Sequence, residues 1–542
     1  MKGYFKLKEL LALTLLLALV QPALTCTNFL VTKGASRDQS VFITYAVDSH
    51  ELYGELYFFP AGIHSPSETV RIIEWDTGRF LGEIPQAPET YRVVGNINEY
   101  QVSIGETTFG GRRELKNTEG IIDYGSLMYL ALQRSKSARQ AIQVMTDLVA
   151  EYGYCSSGES FSVADPNEAW ILEMIGKGKG EKGAVWVARR IPDGYVCAHA
   201  NQARIDTFPL KDPENCLYAA DVIRLAREKG YFQGADENFS FREAYAPVDF
   251  GARRFCEARV WSFFRRVAPS LNLPVDYVRG DADAEPLPIW VKPDRKLGIH
   301  DLFALMRDHF EGTELDLHQG IGAGPYQLPY RWRPLTWKIG DRTYFNERAT
   351  ATQQTGWSFI SQLRGALPDP IGGVHWFGVD DTGSTVYLPF YCGMTRTPRS
   401  YGVESGHFEE FSWNSAFWVF NFVANFAYGR YCDMIQDIRK VQNELEGRFV
   451  AEQAEIDRAA RDLYRRSPRL AEDYLTDYCC RQADQVVHRW RKLGEFLIWK
   501  YLDGNVRDAQ GKVTHPGYPR EWYRRIVEEN PEFYRLKEDQ RP

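Results

Sequence analysis

A cysteine stands where an apolar leader gives way to a strand-like run: ALVQPALTCTNFLVTKGAS. Ahead of it, Met1 to Glu9 is short and lysine-rich, Leu10 to Val20 is almost wholly apolar, and Gln21 to Thr25 is a small or turn-forming tail. That order is a secretory signal peptide, and the apolar run is too short to span a bilayer comfortably. Signal peptidase favours small residues at the third and first positions before its cut. Ala23 and Thr25 fill them, with Cys26 the first residue of the exported chain. Cys26 would then carry its own free α-amine. Such an amine titrates at about 8 and can take the thiol proton, so nucleophile and base share one residue. The nearest histidine in sequence is His50, and nothing in the spacing requires it. The alternatives for Cys26 are a disulfide partner, a core residue or a lipid attachment site. Thr25 fits poorly before a lipidated cysteine.

Other clusters are weaker as chemistry. RDHFEGTELDLH holds Asp308, His309, Glu311, Glu314, Asp316 and His318, but not as His-Glu-x-x-His, and Gly312 and Thr313 suggest a turn with ion pairs. We expect no metal there and no cofactor. GKGKGEKG, from Gly176 to Gly183, does not lead into a helix through Lys-Ser or Lys-Thr and reads as a hairpin loop. The remaining eight cysteines include no CxxC; in an exported chain some can pair.

The elements that must position Cys26 follow from pattern. TNFLVT and SVFITYAV read as strands joined by the polar turn KGASRDQ. Further strands are expected in GELYFFP, YRVVGNINEYQVSIGET, SFSVADPNEAWILEMIG, AVWVARRI and GYVCAHANQ, antiparallel because the turns are short. One long helical pattern runs from about Asp123 to Gly153. From Trp413 to about Leu502 the pattern is strongly helical, with Ile435, Ile438, Leu445, Phe449, Ile456 and Leu463 at helical intervals. The dense aromatic stretch from Trp413 to Tyr431 reads as core. Of 542 residues, 44% are hydrophobic and 25% charged, an ordinary globular balance. The net charge is −7, and −9 from Cys26 onward, with no basic stripe, which argues against nucleic acid as a partner. No later segment reaches the length of a spanning helix, so no stable membrane insertion of the mature chain is expected.

The segment CTNFLVTKGASRDQSVFITYAVDSH resembles the N-terminus of the PepD-type dipeptidases, cysteine peptidases of the N-terminal-nucleophile (Ntn) hydrolase superfamily. NINEYQVSIGETT, ADPNEAWILE, VARRIPDGYVCAHANQARI, RDHFEGTELD and LPDPIGGVHWFGVDD resemble later blocks of the same family, in the same order, as far as about Arg430. The resemblance implies an α+β fold, a four-layer αββα sandwich with additional C-terminal helices. It divides the chain into a signal peptide (1–25), a catalytic domain (26–410) and a mostly helical C-terminal extension (411–542).

The resemblance also implies roles. Cys26 is the nucleophile. Asp48 matches the acidic residue that ends the second strand and tunes proton transfer. Asn98 and Asn201 match oxyanion donors. Glu99, Glu106 and Glu173 are candidates to pair with a substrate's free amino group, which would exclude longer chains. One position departs: Tyr45 stands where an arginine is expected near the thiol, and tyrosine supplies no fixed positive charge. Arg204, in NQARI, or another arginine would replace it. The expected function is an exported cysteine dipeptidase, periplasmic or extracellular, that cuts small peptides through an acyl-enzyme, with a homo-oligomer possible. The alternatives are an amidase of the bile-salt or penicillin V acylase kind and a lipid-anchored, non-catalytic binding protein.

Overall fold

The computed structural model describes residues 26–536 apart from residue 282. The expected signal peptide, 1–25, lies outside the described residues.

Fifteen strands build the two main sheets, numbered here in chain order. They are β1 (Asn28–Val31), β2 (Val41–Asp48), β3 (Phe58–Phe59), β4 (Val93–Val94), β5 (Ile97–Asn98), β6 (Ser103–Gly110), β7 (Gly158–Ala164) and β8 (Ala169–Gly176). Then come β9 (Ala184–Arg190), β10 (Val196–His199), β11 (Cys216–Tyr218), β12 (Trp290–Val291), β13 (Thr355–Leu363), β14 (Gly373–Val379) and β15 (Leu388–Tyr391). The first sheet has the order β12-β10-β1-β2-β13-β14-β15, and the second β11-β9-β8-β7-β6-β5-β4-β3. Neighbouring strands pair antiparallel throughout both. The mixed α and β reading holds. GKGKGEKG forms the hairpin loop between β8 and β9, as expected.

The sheets lie against one another, and strand alternation explains how. In β8, Trp170, Leu172 and Met174 join a core with helices α1 (Tyr124–Arg134) and α2 (Ala138–Tyr152). Ile171 and Ile175 point the other way, into the core shared with the first sheet. The faces between the sheets also carry polar residues in hydrogen-bonded sets. His199 of β10 bonds Thr107 of β6 at 2.7 Å and Ser162 of β7 at 2.7 Å. Ser103 of β6 bonds Ser361 of β13, whose hydroxyl also meets His375 of β14. A buried polar group is costly unless paired, so these sets fix which strand faces which.

Two expected runs are broken. The long helix after Asp123 is two helices, because Ser137 caps α2 through the Gln140 N–H, and Asn98 takes the carbonyls of Leu132 and Ser135 at the end of α1. The strand expected across YRVVGNINEYQVSIGET becomes β4, β5 and β6. Asn98 Oδ1 accepts the N–H groups of Tyr100 and Val102, and Gln101 has φ 63°, which together make a tight turn.

Helices α3 (Ala258–Val267) and α4 (Ile299–Met306) precede β13. Helices α5 (Ala416–Tyr428), α6 (Tyr431–Arg466) and α7 (Pro468–Lys500) close the first sheet at β14 and β15. Phe417, Val419, Phe420 and Val423 of α5 are buried, so the aromatic stretch is core, as expected. Acidic residues of the long helices each grip an arginine of the sheet region. Asp457 takes Arg364, Glu472 takes Arg92, and Glu446 takes Arg307 while accepting the Tyr387 N–H. Glu446 and Arg307 are largely buried, so removing one charge strands the other. Glu446→Gln is expected to lower stability by about 3 kcal/mol with secondary structure unchanged. Thermal unfolding followed by circular dichroism checks this, and an unchanged midpoint contradicts it.

Candidate active site

Cys26 leads into β1 and is 1% exposed. Each of the first three described residues has a defined partner. The N–H and C=O of Thr27 bridge to Ala46 of β2. The Asn28 carboxamide crosses to the second sheet. Its oxygen accepts from the Glu106 N–H and the Ser162 hydroxyl, and its nitrogen donates to the carbonyls of Glu106 and Thr27. Gly105 makes room for this crossing, since a Cβ there would stand 2.8 Å from the Asn28 amide and 3.2 Å from Tyr45 Cβ.

The thiol therefore lies between the sheets. Cys26 Sγ is 3.9 Å from Tyr45 Oη and 3.8 Å from Glu106 Oε1. Tyr45 donates a short hydrogen bond to that same Glu106 oxygen. The backbone N–H of Asp48 points at the sulfur. Burial, then the Glu106 and Asp48 carboxyls, push the Cys26 thiol well above the usual cysteine range. Burial likewise raises Tyr45, which keeps its proton as a neutral donor.

Of the two expected sources of positive charge, Arg204 or another arginine, the structure brings Arg259 of α3 to Cys26. Its guanidinium is fully buried and all five N–H groups are used. Nε donates to Phe255 O, Nη1 to Cys26 O and Thr27 Oγ1, and Nη2 to Ala200 O and Asn201 Oδ1. Burial first, and then Arg348, bring it down to about 9, which leaves it cationic near neutrality. A π-helical turn, Ala252–Glu257, precedes α3 and presents the Phe255 carbonyl to it. No sequence motif marked Arg259; its signal is a lone arginine amid the apolar residues of ARVWSFF.

The other expected residues divide. Asp48 is buried at the end of β2, accepts from Thr355 Oγ1 at 2.6 Å and pairs with Arg348, so it ties β2, the strand beside Cys26, to β13. Asn201 has φ 62°, donates from Nδ2 to Thr108 O at 2.9 Å and reaches Cys26 through Arg259. Asn98 has both amide hydrogens committed to Leu132 and Ser135, which leaves none for an oxyanion; its place is the turn before β6. Glu99 pairs with Arg92 at 2.9 Å. Glu173 accepts the backbone N–H groups of Arg204 and Ile205, and burial raises it to about 7. Arg204 pairs with Glu257 at 3.1 Å and donates to the carbonyls of Ala198, Leu287, Pro288 and Ile289. These three hold the loop after β10, or in the case of Glu99 the turn near β5, and only Glu106 of the acidic candidates meets the thiol.

His309, Glu311 and His318 offer ligand atoms within 4.8 Å of one another, so this cluster has a donor set able to hold a cation. It also has internal partners: Glu311 bonds His309 Nδ1 and the Arg266 guanidinium, and Asp316 bonds His318. None of these groups bonds Cys26. The nine described cysteines are all free thiols.

The model of peptidase family C69 matches residues 61–444, well over half of the sequence. The chain belongs to peptidase family C69. Among relatives of this C69 chain is a "Probable dipeptidase" of Latilactobacillus sakei, 24% identical over 77% of this chain and 85% of the relative. A "Probable dipeptidase" of Salmonella dublin is 25% identical over 72% and 86%. "Dipeptidase A" of Lactobacillus helveticus is 26% identical over 62% and 61%.

In this chain the Arg259 guanidinium satisfies five acceptors at once, which a lysine cannot do. Arg259→Lys is expected to cost about 3 kcal/mol of stability and to expose Cys26 to alkylation. Iodoacetamide labelling followed by peptide mass mapping checks this. Equal labelling of Cys26 in both proteins would show that the clasp does not fix the nucleophile.

Proposed function

We propose that this chain is an exported cysteine dipeptidase of the N-terminal-nucleophile kind. The stacked antiparallel sheets with helices outside them support reading the fold as an αββα sandwich. The family and the names of its relatives support the substrate class. The leader supports export, and among the described residues no helix is long and apolar enough to cross a membrane.

The observation that carries the reading is the surroundings of Cys26. Its sulfur faces Tyr45 and Glu106, its carbonyl is clasped by Arg259, and its strand is braced by Asp48. A thiol raised by burial is inert until something takes its proton. Removal of the residues before Cys26 frees an α-amine on the same residue. That amine takes the thiol proton as sulfur bonds to the carbonyl carbon of the first substrate residue. The resulting ammonium gives the proton to the departing amine as the C–N bond breaks. Water then attacks the thioester and passes a proton back through the amine, which releases the first amino acid and restores the thiol. Asn201, held by Arg259, is the proposed oxyanion donor. Glu106 is placed to hold the substrate's free ammonium, a demand that small peptides meet.

Active protein is expected to begin at Cys26 with an unmodified amine, as read by N-terminal sequencing and intact mass. Cys26→Ala is expected to abolish hydrolysis of a dipeptide panel, and Cys26→Ser to lower it by about 10³-fold or more. Active protein that retains Met1 to Thr25, or carries a diacylated Cys26, would overturn the mechanism. Turnover of N-acyl amides in preference to dipeptides would move the reading to the acylases.

A further inference from the structure

A second carboxyl lies behind Glu106. Glu159, on the neighbouring strand β7, comes within hydrogen-bond reach of Glu106. Its Oε1 accepts from Thr108 Oγ1 at 2.8 Å. Both glutamates are about 1% exposed, and the Oε2 atoms of both are buried without a partner. Among the described residues neither forms an ion pair. The titratable groups facing them are Cys26 and Tyr45 from the first sheet, and Asp76, Tyr124 and Tyr154 from the helix side. None of these is a cation. Two buried carboxyls side by side cannot both ionise cheaply, and an unpaired buried charge costs several kcal/mol. A structural role would be served as well by one carboxyl and an amide.

Geometry supplies the missing cation. In a peptide the α-nitrogen lies about 2.5 Å from the carbonyl carbon of its own residue. A nucleophile poised for attack is about 3–3.5 Å from that carbon. An ammonium so placed lies within reach of an oxygen 3.8 Å from the sulfur, the distance of Glu106 Oε1 from Cys26 Sγ.

We infer that Glu106 and Glu159 form a proton-sharing carboxyl pair that receives the substrate's α-ammonium and gives up its shared proton when the ammonium binds. This rests on the dipeptidase reading and deepens it. Empty, the pair carries one proton and one negative charge. Occupied, both carboxylates are ionised around the ammonium, and one proton has passed to solvent. An N-acylated chain end carries no charge and cannot displace that proton, so the pair selects a free N-terminus. At acid pH both carboxyls hold protons and the ammonium has no anion to meet. KM for dipeptides should therefore rise, more than kcat falls, as pH is lowered from roughly pH 8 to pH 5.

The test is calorimetric titration of the mature wild-type protein with a ketomethylene dipeptide isostere, which cannot be cleaved. The isostere is used with a free amine and with an N-acetyl cap, at pH 7, in two buffers of different ionisation enthalpy. The free-amine isostere should release more than about half a proton and bind at least about tenfold tighter than the capped one. Glu159→Gln should abolish most of that release and weaken the free-amine isostere alone. Equal affinity for the two isosteres, or no proton release from the wild-type protein, overturns the pair. If Glu159→Gln weakens both isosteres equally, the pair serves the enzyme's own Cys26 amine and the proposal is wrong. Failure of dipeptide hydrolysis would instead overturn the parent reading, and the titration reads the pair either way.

Discussion

The Arg259 guanidinium is the interaction on which the site depends. It is fully buried, where an unpaired cation would be expelled or would lose its proton. It persists because five oxygens from three places in the chain converge on it: the turn before α3, Cys26 with Thr27, and two residues after β10. Each oxygen is thereby fixed relative to the others. Cys26 and Thr27 are distant in sequence from Asn201, and they meet because one planar fork bonds all three while satisfying every N–H.

Around that clasp the interior between the sheets is more polar than an ordinary core. His199 and His375 are pushed down to about 3 by burial and remain neutral, each bonded to serine or threonine hydroxyls. A purely apolar interior would let the sheets slide, whereas these bonds have one register in which they all form. The Asn28 bridge to Glu106 uses the same device to set the distance between thiol and carboxylate. Asp457 and Glu446 of α6 then hold the outer layer to the end of β13 through Arg364 and to the loop before β15 through Tyr387.

Cys26, by contrast, is held as a neutral thiol by this environment. Burial and two nearby carboxyls disfavour the thiolate. In the proposed mechanism, an α-ammonium on Cys26 supplies the positive charge that would favour the thiolate. The Tyr45 departure fits the same logic. A tyrosine there gives Glu106 a neutral hydrogen bond and leaves its charge uncompensated, which an arginine at that position would not do.

Sequence determined the strands, the hairpin loop at Gly176 to Gly183, the C-terminal helices and Cys26 as the residue to watch, because periodicity and turn chemistry are local. Resemblance also singled out Asp48, Asn201 and Glu106, which the structure brings to Cys26 or to the Arg259 that clasps it. Asn98, Glu99, Glu173 and Arg204, singled out with them, have their side chains bonded within turns, loops and ion pairs, because an amide or a charge in a motif looks the same whether it faces a substrate or closes a turn. Arg259 and Glu159 were invisible in the sequence. Their meaning lies in what surrounds them: five carbonyl, hydroxyl and amide oxygens for the one, a second buried carboxyl for the other. Only the stacking of two sheets, which brings β1, β6 and β7 together beside α3, decides that.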